Sequence, residues 1–275
     1  MSDKPHAPRT TQHQSTITDN QLRITSAIIQ ARMDSSRLPG KVLVDIAGEP
    51  MLVRVVERVR KAKSLHKVVV ATTTHASDDP VEDLCVQRGY SYYRGSMHDV
   101  LDRYYQAAQQ FEAQVIVRIT ADCPLIDPGL VDQAVEALHL TGADFVANRL
   151  PPPWGRTYPI GLDIEVCTFE ALARAWHEAD QPVHREHVMP YLYEQEGRFH
   201  THLLNHDPDY GHLRWTVDTP EDLELIRRIY VHFDGRDDFS WLEVLDLVQS
   251  QPHLTAINAA IKHKTAFEVD ERSES

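Results

Sequence analysis

Ile24-Thr25-Ser26-Ala27-Ile28-Ile29-Gln30-Ala31-Arg32-Met33-Asp34-Ser35-Ser36-Arg37-Leu38-Pro39-Gly40-Lys41 is the stretch on which the reading turns. It opens with the apolar run Ala27-Ile28-Ile29, too short for a helix and unbroken by polar residues, which fits a strand buried on both faces. The run stops at Gln30, and three cations follow: Arg32, Arg37 and Lys41. Pro39-Gly40 predicts a turn immediately before Lys41. Fixed cations and free backbone N–H groups beyond a central strand can hold a polyphosphate. The Gly-x4-Gly-Lys-Ser/Thr spacing of ATPase loops is absent. A solvated basic loop is the other reading of the same residues.

Working outward, strands and helices alternate. Val42-Leu43-Val44 is expected as a second short strand. A helix with Met51, Leu52, Val55, Val56 and Val59 inward follows, with Arg54, Arg58 and Lys61 facing water. Lys67–Thr72 is the next buried strand, and Asp78-Asp79-Pro80 opens a helix. Tyr90–Tyr93 is a strand, 98–110 a helix, Val115–Thr120 a strand, and Pro128 opens a helix to about 140. This alternation predicts an α/β fold, a mostly parallel central sheet with helices on both faces. Ligands bind beyond the carboxyl ends of such strands. The cationic loop, Thr72–Thr74 and Asp122 all fall on that rim.

The second half is less regular. Asp144–Ala147 reads as a strand, and 149–159 as a loop without regular structure. Leu162–Thr168 alternates like an antiparallel or edge strand. Helices are expected near 169–179 and 184–195, and strands at His200–Leu204 and His212–Thr216. Thr219-Pro220-Glu221-Asp222 carries a cap residue, a first-turn proline and first-turn acids, so a helix runs from there to about 233. Helical stretches near 240–249 and 254–263 end the fold. Residues 1–22 are polar and aperiodic and are expected to be a disordered tail. Residues 23–263 form one domain, and 264–275 a C-terminal tail.

The 275 residues carry a formal net charge of -13, which argues against a general nucleic-acid binder and leaves room for one local basic pocket. Cys85, Cys123 and Cys167 show no metal-binding or disulfide spacing, so reduced thiols and a cytoplasmic location are expected. No run has the length of a membrane span, and 1–22 lack the apolar segment of a signal peptide. Sixteen histidines raise the question of a metal cluster, but no His-Glu-x-x-His pattern accompanies them. Asp122, after a buried strand, suits a hard cation or simply forms a turn. Asp218, before a helix, is a ligand of the same kind or a cap. Together with the cationic loop, the two carboxylates fit a magnesium–triphosphate site.

The segment Ile-Ile-Gln-Ala-Arg-Met-x-Ser-x-Arg-Leu-Pro-Gly-Lys (28–41) resembles the opening signature of the CMP-Kdo and CMP-sialic acid synthetase superfamily. The nearer likeness is to its SpsF-type cytidylyltransferase branch. It is carried by Arg94-Gly95-Ser96 with Asp99–Tyr105, by Arg118–Asp127, Gly161–Val166 and Arg185–Tyr191, and by Leu213–Asp222. The resemblance implies a nucleotide-diphospho-sugar-transferase-like (GT-A-like, Rossmann-type) fold, CTP as donor and Mg2+ as cofactor. It implies that Arg32, Arg37 and Lys41 hold the triphosphate, that Asp122 and Asp218 hold the metal, and that Arg32, Lys41, Asp122 and Asp218 are the catalytic set. Gly95, Ser96 and Arg103 would lie near cytosine and ribose. Asp163, Glu165, Arg185, Glu186 and His187 would lie toward a small acidic acceptor, a sugar acid or a relative of one. The implied reaction moves CMP to that acceptor and releases pyrophosphate, in surface polysaccharide or glycan precursor synthesis. No nucleic acid or membrane partner is expected, and a homodimer is compatible with the chain. A glycosyltransferase of the same fold is the alternative, although the close Asp-x-Asp pair usual there is missing around Asp122.

Overall fold

The structure, a computed structural model, describes residues 23–151 and 155–261. In chain order the elements are β1 (Thr25–Gln30), β2 (Asp45–Ile46), β3 (Glu49–Pro50), α1 (Met51–Val59), β4 (Lys67–Thr73), α2 (Asp79–Arg88), β5 (Ser91–Gly95) and α3 (Val100–Gln110). Next come β6 (Val115–Thr120), α4 (Pro128–Thr141), β7 (Phe145–Ala147), β8 (Arg149–Leu150), β9 (Gly155–Arg156), β10 (Glu165–Thr168) and α5 (Phe169–Glu178). The order closes with α6 (Pro182–His187), α7 (Pro190–Tyr193), β11 (Thr201–Leu203), α8 (Pro220–His232), α9 (Trp241–Ser250) and α10 (Pro252–Thr255). The tails expected at 1–22 and 264–275 lie outside the described residues.

Seven strands form the central sheet in the order β11-β7-β10-β6-β1-β4-β5. β1 pairs in parallel with both β4 and β6, and β4 with β5. Alternate residues of β1 enter different cores: Ala27 and Ile29 pack on one face, Ile28 on the other. Both faces are covered, which explains why its apolar run shows no alternation. β10 is antiparallel to β6 and β7. Its amino end therefore lies at the rim where β1, β4, β5 and β6 present their carboxyl ends, and this brings Asp163 and Glu165 to that rim.

Several local expectations fail for identifiable reasons. Residues 41–43 are a 3-10 turn, not a strand. Gly40 is left-handed, with φ 70°, and its carbonyl accepts from Leu43 N–H. Arg54 and Arg58 are buried rather than facing water. The Arg58 guanidinium donates to the carbonyls of Leu125, Ile126, Asp237 and Phe239 and lies over the Phe239 ring. Arg54 donates to Ile46, Ala47 and Gly235 and pairs with Asp237. The expected irregular loop 149–159 includes the short antiparallel strand pair β8 and β9. The expected single helix 184–195 is two, α6 and α7. Residues 212–216 form no strand beyond an isolated bridge between Ile160 and Arg214. Among the described residues, the last helix spans only Pro252–Thr255.

Candidate active site

Asp122 and Asp218 are far apart in sequence, and backbone hydrogen bonds bring them together. Asp122 follows β6. Its carbonyl accepts from the Val217 N–H at 2.9 Å and from the Thr216 hydroxyl at 3.0 Å. Segment 214–217 is in turn fixed against Ile160, whose carbonyl accepts from Trp215 N–H. Gly161 makes that approach possible. Its φ is 103°, and a Cβ there would come within 2.5 Å of the Thr216 nitrogen.

Both carboxylates meet the Lys41 ammonium. Lys41 Nζ donates to Asp122 Oδ2 at 2.9 Å, to Asp218 Oδ1 at 2.8 Å and to the Val217 carbonyl at 2.9 Å. Burial opposes the charge on Lys41, but the two carboxylates outweigh it and raise its pKa. Asp218 also pairs with Arg37 at 2.9 Å and Arg214 at 2.7 Å. Burial would raise the Asp218 pKa; Lys41, Arg214 and Arg37 overcome it and hold the group well below the usual carboxylate range.

The cap question at Asp218 is resolved. Thr219 is the N-cap of α8, in a reciprocal capping box with Asp222. The Asp218 side chain is left to the cations. Arg214 is oriented by the fully buried Asp222, which accepts from its Nε and Nη2 and from Asn258. Sequence reasoning gave Arg214 no role. Its signal was a charge inside a stretch that otherwise reads as buried strand.

The cationic loop is anchored from below. The buried Asp78 carboxylate accepts from Met33 N–H at 2.7 Å and from the Thr73 N–H and hydroxyl at the end of β4. Arg32, adjacent to Met33, is half-buried and lies in electrostatic range of Arg103. Arg103 is fully buried, and its Nη1 donates to the Ser96 carbonyl at 2.6 Å. Its Nε and Nη2 have no hydrogen-bond partner among the described residues.

A cavity of about 160 Å³ opens beside the carboxylates. Arg118, Thr120, Asp122, Arg149, Asp163, Glu165 and Asp218 are among its lining residues. Asp163 and Glu165 do not stand bare in it. Arg156 binds Asp163 through both guanidinium nitrogens, at 2.7 and 3.1 Å, with Arg149 3.7 Å away, and Glu165 pairs with Arg118. The Nε of Arg118 is buried without a partner among the described residues. Arg118 and Arg149 were given no role in the sequence reading, although an arginine within the buried strand β6 was the visible sign.

His187 ends α6. Burial, with Arg118 and Arg149 nearby, lowers its pKa in spite of Glu186 and Glu165. Val188, which follows, has φ 70° and ψ -60°, and Met189 N–H donates to the His187 carbonyl at 2.9 Å. This is the rare, strained hand of γ-turn, here on a buried β-branched residue. Glu186 is exposed. Arg185 does not line the cavity; its guanidinium is engaged by Asp99 and the Trp176 carbonyl. Cys123 is buried, and burial with Asp122 and Asp163 pushes its thiol well above the ordinary value, so it is not a nucleophile.

A family profile described as "Cytidylyltransferase" matches residues 26–244. The chain belongs to the cytidylyltransferase family. That membership makes it a CTP-dependent nucleotidyltransferase and decides against the glycosyltransferase alternative. It is similar to the spore coat polysaccharide biosynthesis protein SpsF of Bacillus subtilis, 33% identical over 82% of this chain and 94% of that protein. An uncharacterized protein of Methanocaldococcus jannaschii is 37% identical over 89% of this chain and 98% of its own length. Among solved structures, a cytidylyltransferase from Leptospira borgpetersenii superposes with a TM-score of 0.80 at 33% identity, covering 87% of this chain and 99% of that one. That likeness is the one expected for the nucleotide-diphospho-sugar-transferase-like fold.

Among the described residues, no group of three or more His, Cys, Asp or Glu side chains is arranged to hold a metal ion. Two carboxylate oxygens touching one ammonium nitrogen are nonetheless within reach of a single cation. Magnesium bound by one or two carboxylates takes its remaining oxygens from phosphates and water. The residues present fit that mode.

Proposed function

We propose that the chain transfers CMP from CTP to a small acidic, sugar-type acceptor, releasing pyrophosphate, in the synthesis of a surface polysaccharide or glycan precursor. The observation that carries this is the convergence of Asp122 and Asp218 on Lys41 at the rim, between the cationic loop and an arginine-lined cavity. Arg32, Arg37 and Lys41 take the triphosphate. Arg118 and Arg149, oriented by Glu165 and Asp163, attract the acid group of the acceptor. The acceptor oxygen attacks the α-phosphorus, the bond to the β-phosphate oxygen breaks, and pyrophosphate leaves toward the cations. His187, kept neutral by burial, takes the proton of the attacking hydroxyl. Asp122 and Asp218 would hold a magnesium ion, which supplies charge neutralisation at the reacting phosphate. The likeness to a polysaccharide biosynthesis protein supports the pathway class.

The test has two arms. CTP with magnesium should raise the melting temperature more than ATP, GTP or UTP. Pyrophosphate should then appear when CTP is supplied with one member of a panel of sugar acids and phosphonates. Equal stabilisation by all four nucleotides refutes the cytidine assignment; pyrophosphate release with neutral sugars alone refutes the acidic acceptor.

A further inference from the structure

Arg185 lies in the segment expected to face the acceptor, yet its contacts run the other way. Its Nε donates to both carboxylate oxygens of Asp99, at 3.1 and 3.0 Å, and its Nη2 adds a third bond to the same group. Its Nη1 donates to the Trp176 carbonyl at 2.8 Å, so every guanidinium nitrogen is engaged. Asp99 is the N-cap of α3, accepting from Asp102 N–H at 2.8 Å. The Asp99 N–H donates to the Ser96 hydroxyl at 3.0 Å, and the Ser96 carbonyl receives Arg103.

These bonds form one chain. It starts at α6, passes through the Asp99 carboxylate, and ends in the turn from Gly95 to Asp99 and the Arg103 side chain. The turn leaves the carboxyl end of β5, on the same rim as the cationic loop, and Arg103 lies in electrostatic range of Arg32. Gly95 packs so tightly that a Cβ would come within 3.0 Å of Arg103 Cγ. A small displacement of Asp99 would therefore be passed to both the turn and Arg103. The Asp99–Arg185 pair is partly shielded, its side chains 33% and 22% exposed, and the carboxylate is gripped in a bidentate manner.

We propose that Arg185 is a positioning residue for the nucleoside half of the bound nucleotide, acting through Asp99 on the turn Gly95–Asp99, and is not an acceptor ligand. This rests on the reading of the site as a CTP site. It makes α6 a two-ended element. Arg185 steadies the nucleoside side, and two residues later His187 lies in electrostatic range of the cavity residues Arg118, Arg149 and Glu165.

The test is calorimetric titration of the full chain with CTP and, separately, with pyrophosphate, both with magnesium and without any acceptor. Arg185→Ala and Asp99→Ala should each weaken CTP about tenfold or more, while pyrophosphate, held by the cationic loop, changes less than about twofold. The double variant should lose no more than either single one, because the two side chains act as one unit. Arg185→Lys, which keeps the charge but not the bidentate grip, should fall between and guards against a variant that does not fold. Unchanged CTP affinity in both Arg185 variants overturns the proposal. So does an equal loss for CTP and pyrophosphate, which is what general loosening would give, and so do losses that multiply in the double variant. A wild-type chain that prefers another nucleoside triphosphate overturns the CTP reading alone, and the same ratios are then read with that nucleotide.

Discussion

Replacing Lys41 by methionine tests whether the carboxylates of Asp122 and Asp218 are held together by a cation. Methionine keeps an unbranched apolar stem and removes the ammonium that lies 2.9 Å from Asp122 and 2.8 Å from Asp218. The carboxylates, 26% and 18% exposed, then face each other with no charge between them. At a separation of about 5 Å and an effective dielectric constant of about 20, their repulsion is at most about 3 kcal/mol, because Arg37 and Arg214 still neutralise Asp218. Removing one partner of a fully buried ion pair costs about 3–5 kcal/mol, and this partly exposed group falls at the lower end. Each kcal/mol lowers the melting temperature of a domain of this size by roughly 2–4 °C, so Lys41→Met should melt roughly 10 °C below wild type. A second substitution separates charge from packing. Apart from Lys41, the Asp122 carboxylate touches the Cys123 thiol at 3.6 Å, so an amide there loses little else. Asp122→Asn should therefore recover much of the loss in the Lys41→Met background, while destabilising the wild type by depriving Lys41 of a partner. The assay is thermal unfolding at pH 7 without nucleotide. A Lys41→Met melt within 2 °C of wild type, or a double variant below the single one, refutes the reasoning.

Three further outcomes are expected. Asp78→Asn puts an amide N–H against the donors of Met33 or Thr73; it should cost about 2–3 kcal/mol in stability and weaken CTP binding through Arg32, and unaltered CTP affinity would show that the loop is anchored elsewhere. Asp218→Asn should lower kcat at least about a hundredfold with a modest stability loss, and near-normal turnover would return Asp218 to a structural role. His187, with its pKa lowered by burial, stays neutral below its ordinary value of about 6.5, so the activity plateau should extend below that pH. The unfolded chain binds a proton there that the native site refuses, so stability should also fall as pH drops through that value, and His187→Gln should remove both effects.

The fold was legible where burial is two-sided. Ala27-Ile28-Ile29 and Val115–Thr120 contain apolar residues that pack on opposite faces, so their runs announced central strands. The cap at Thr219 was legible because it is local. Arg54 and Arg58 were misread because helical periodicity assigns charges to water. What buries them is the 235–239 segment, about 180 residues later, and no short-range pattern can report it. Segment 212–216 looked like a strand because its residues alternate. Its backbone groups go instead to Leu213–Ile160 and Val217–Asp122 contacts, which satisfy it without a ladder. Asp122 and Asp218 each looked like ordinary turn or cap residues, and only the motif order linked them. Their meeting point depends on Thr216 and Val217 donating to the Asp122 carbonyl, which sequence spacing does not encode.

The distribution of charge around that meeting point explains how a chain of net charge -13 can serve a polyanion. Its site carboxylates are already spent on cations. Asp218 is shared by Lys41, Arg37 and Arg214, Asp222 holds Arg214, Asp163 holds Arg149 and Arg156, and Glu165 holds Arg118. Each pair fixes a guanidinium or ammonium in place before any ligand arrives, at the cost of part of its attraction for a phosphate. Arg103 differs, because two of its buried donors are unclaimed among the described residues and Arg32 lies near it. Burial and the Arg32 charge both disfavour a charged Arg103, with the Asp78 carboxylate acting the other way, so a further anion there would be favoured. On the proposed reading, the bound nucleotide would supply that anion, and the paired cations around it would then need little rearrangement as charge moves onto the leaving group. Rigid pairs for orientation and the two Arg103 donors left unclaimed among the described residues for attraction are the division of labour that electrostatic preorganisation requires.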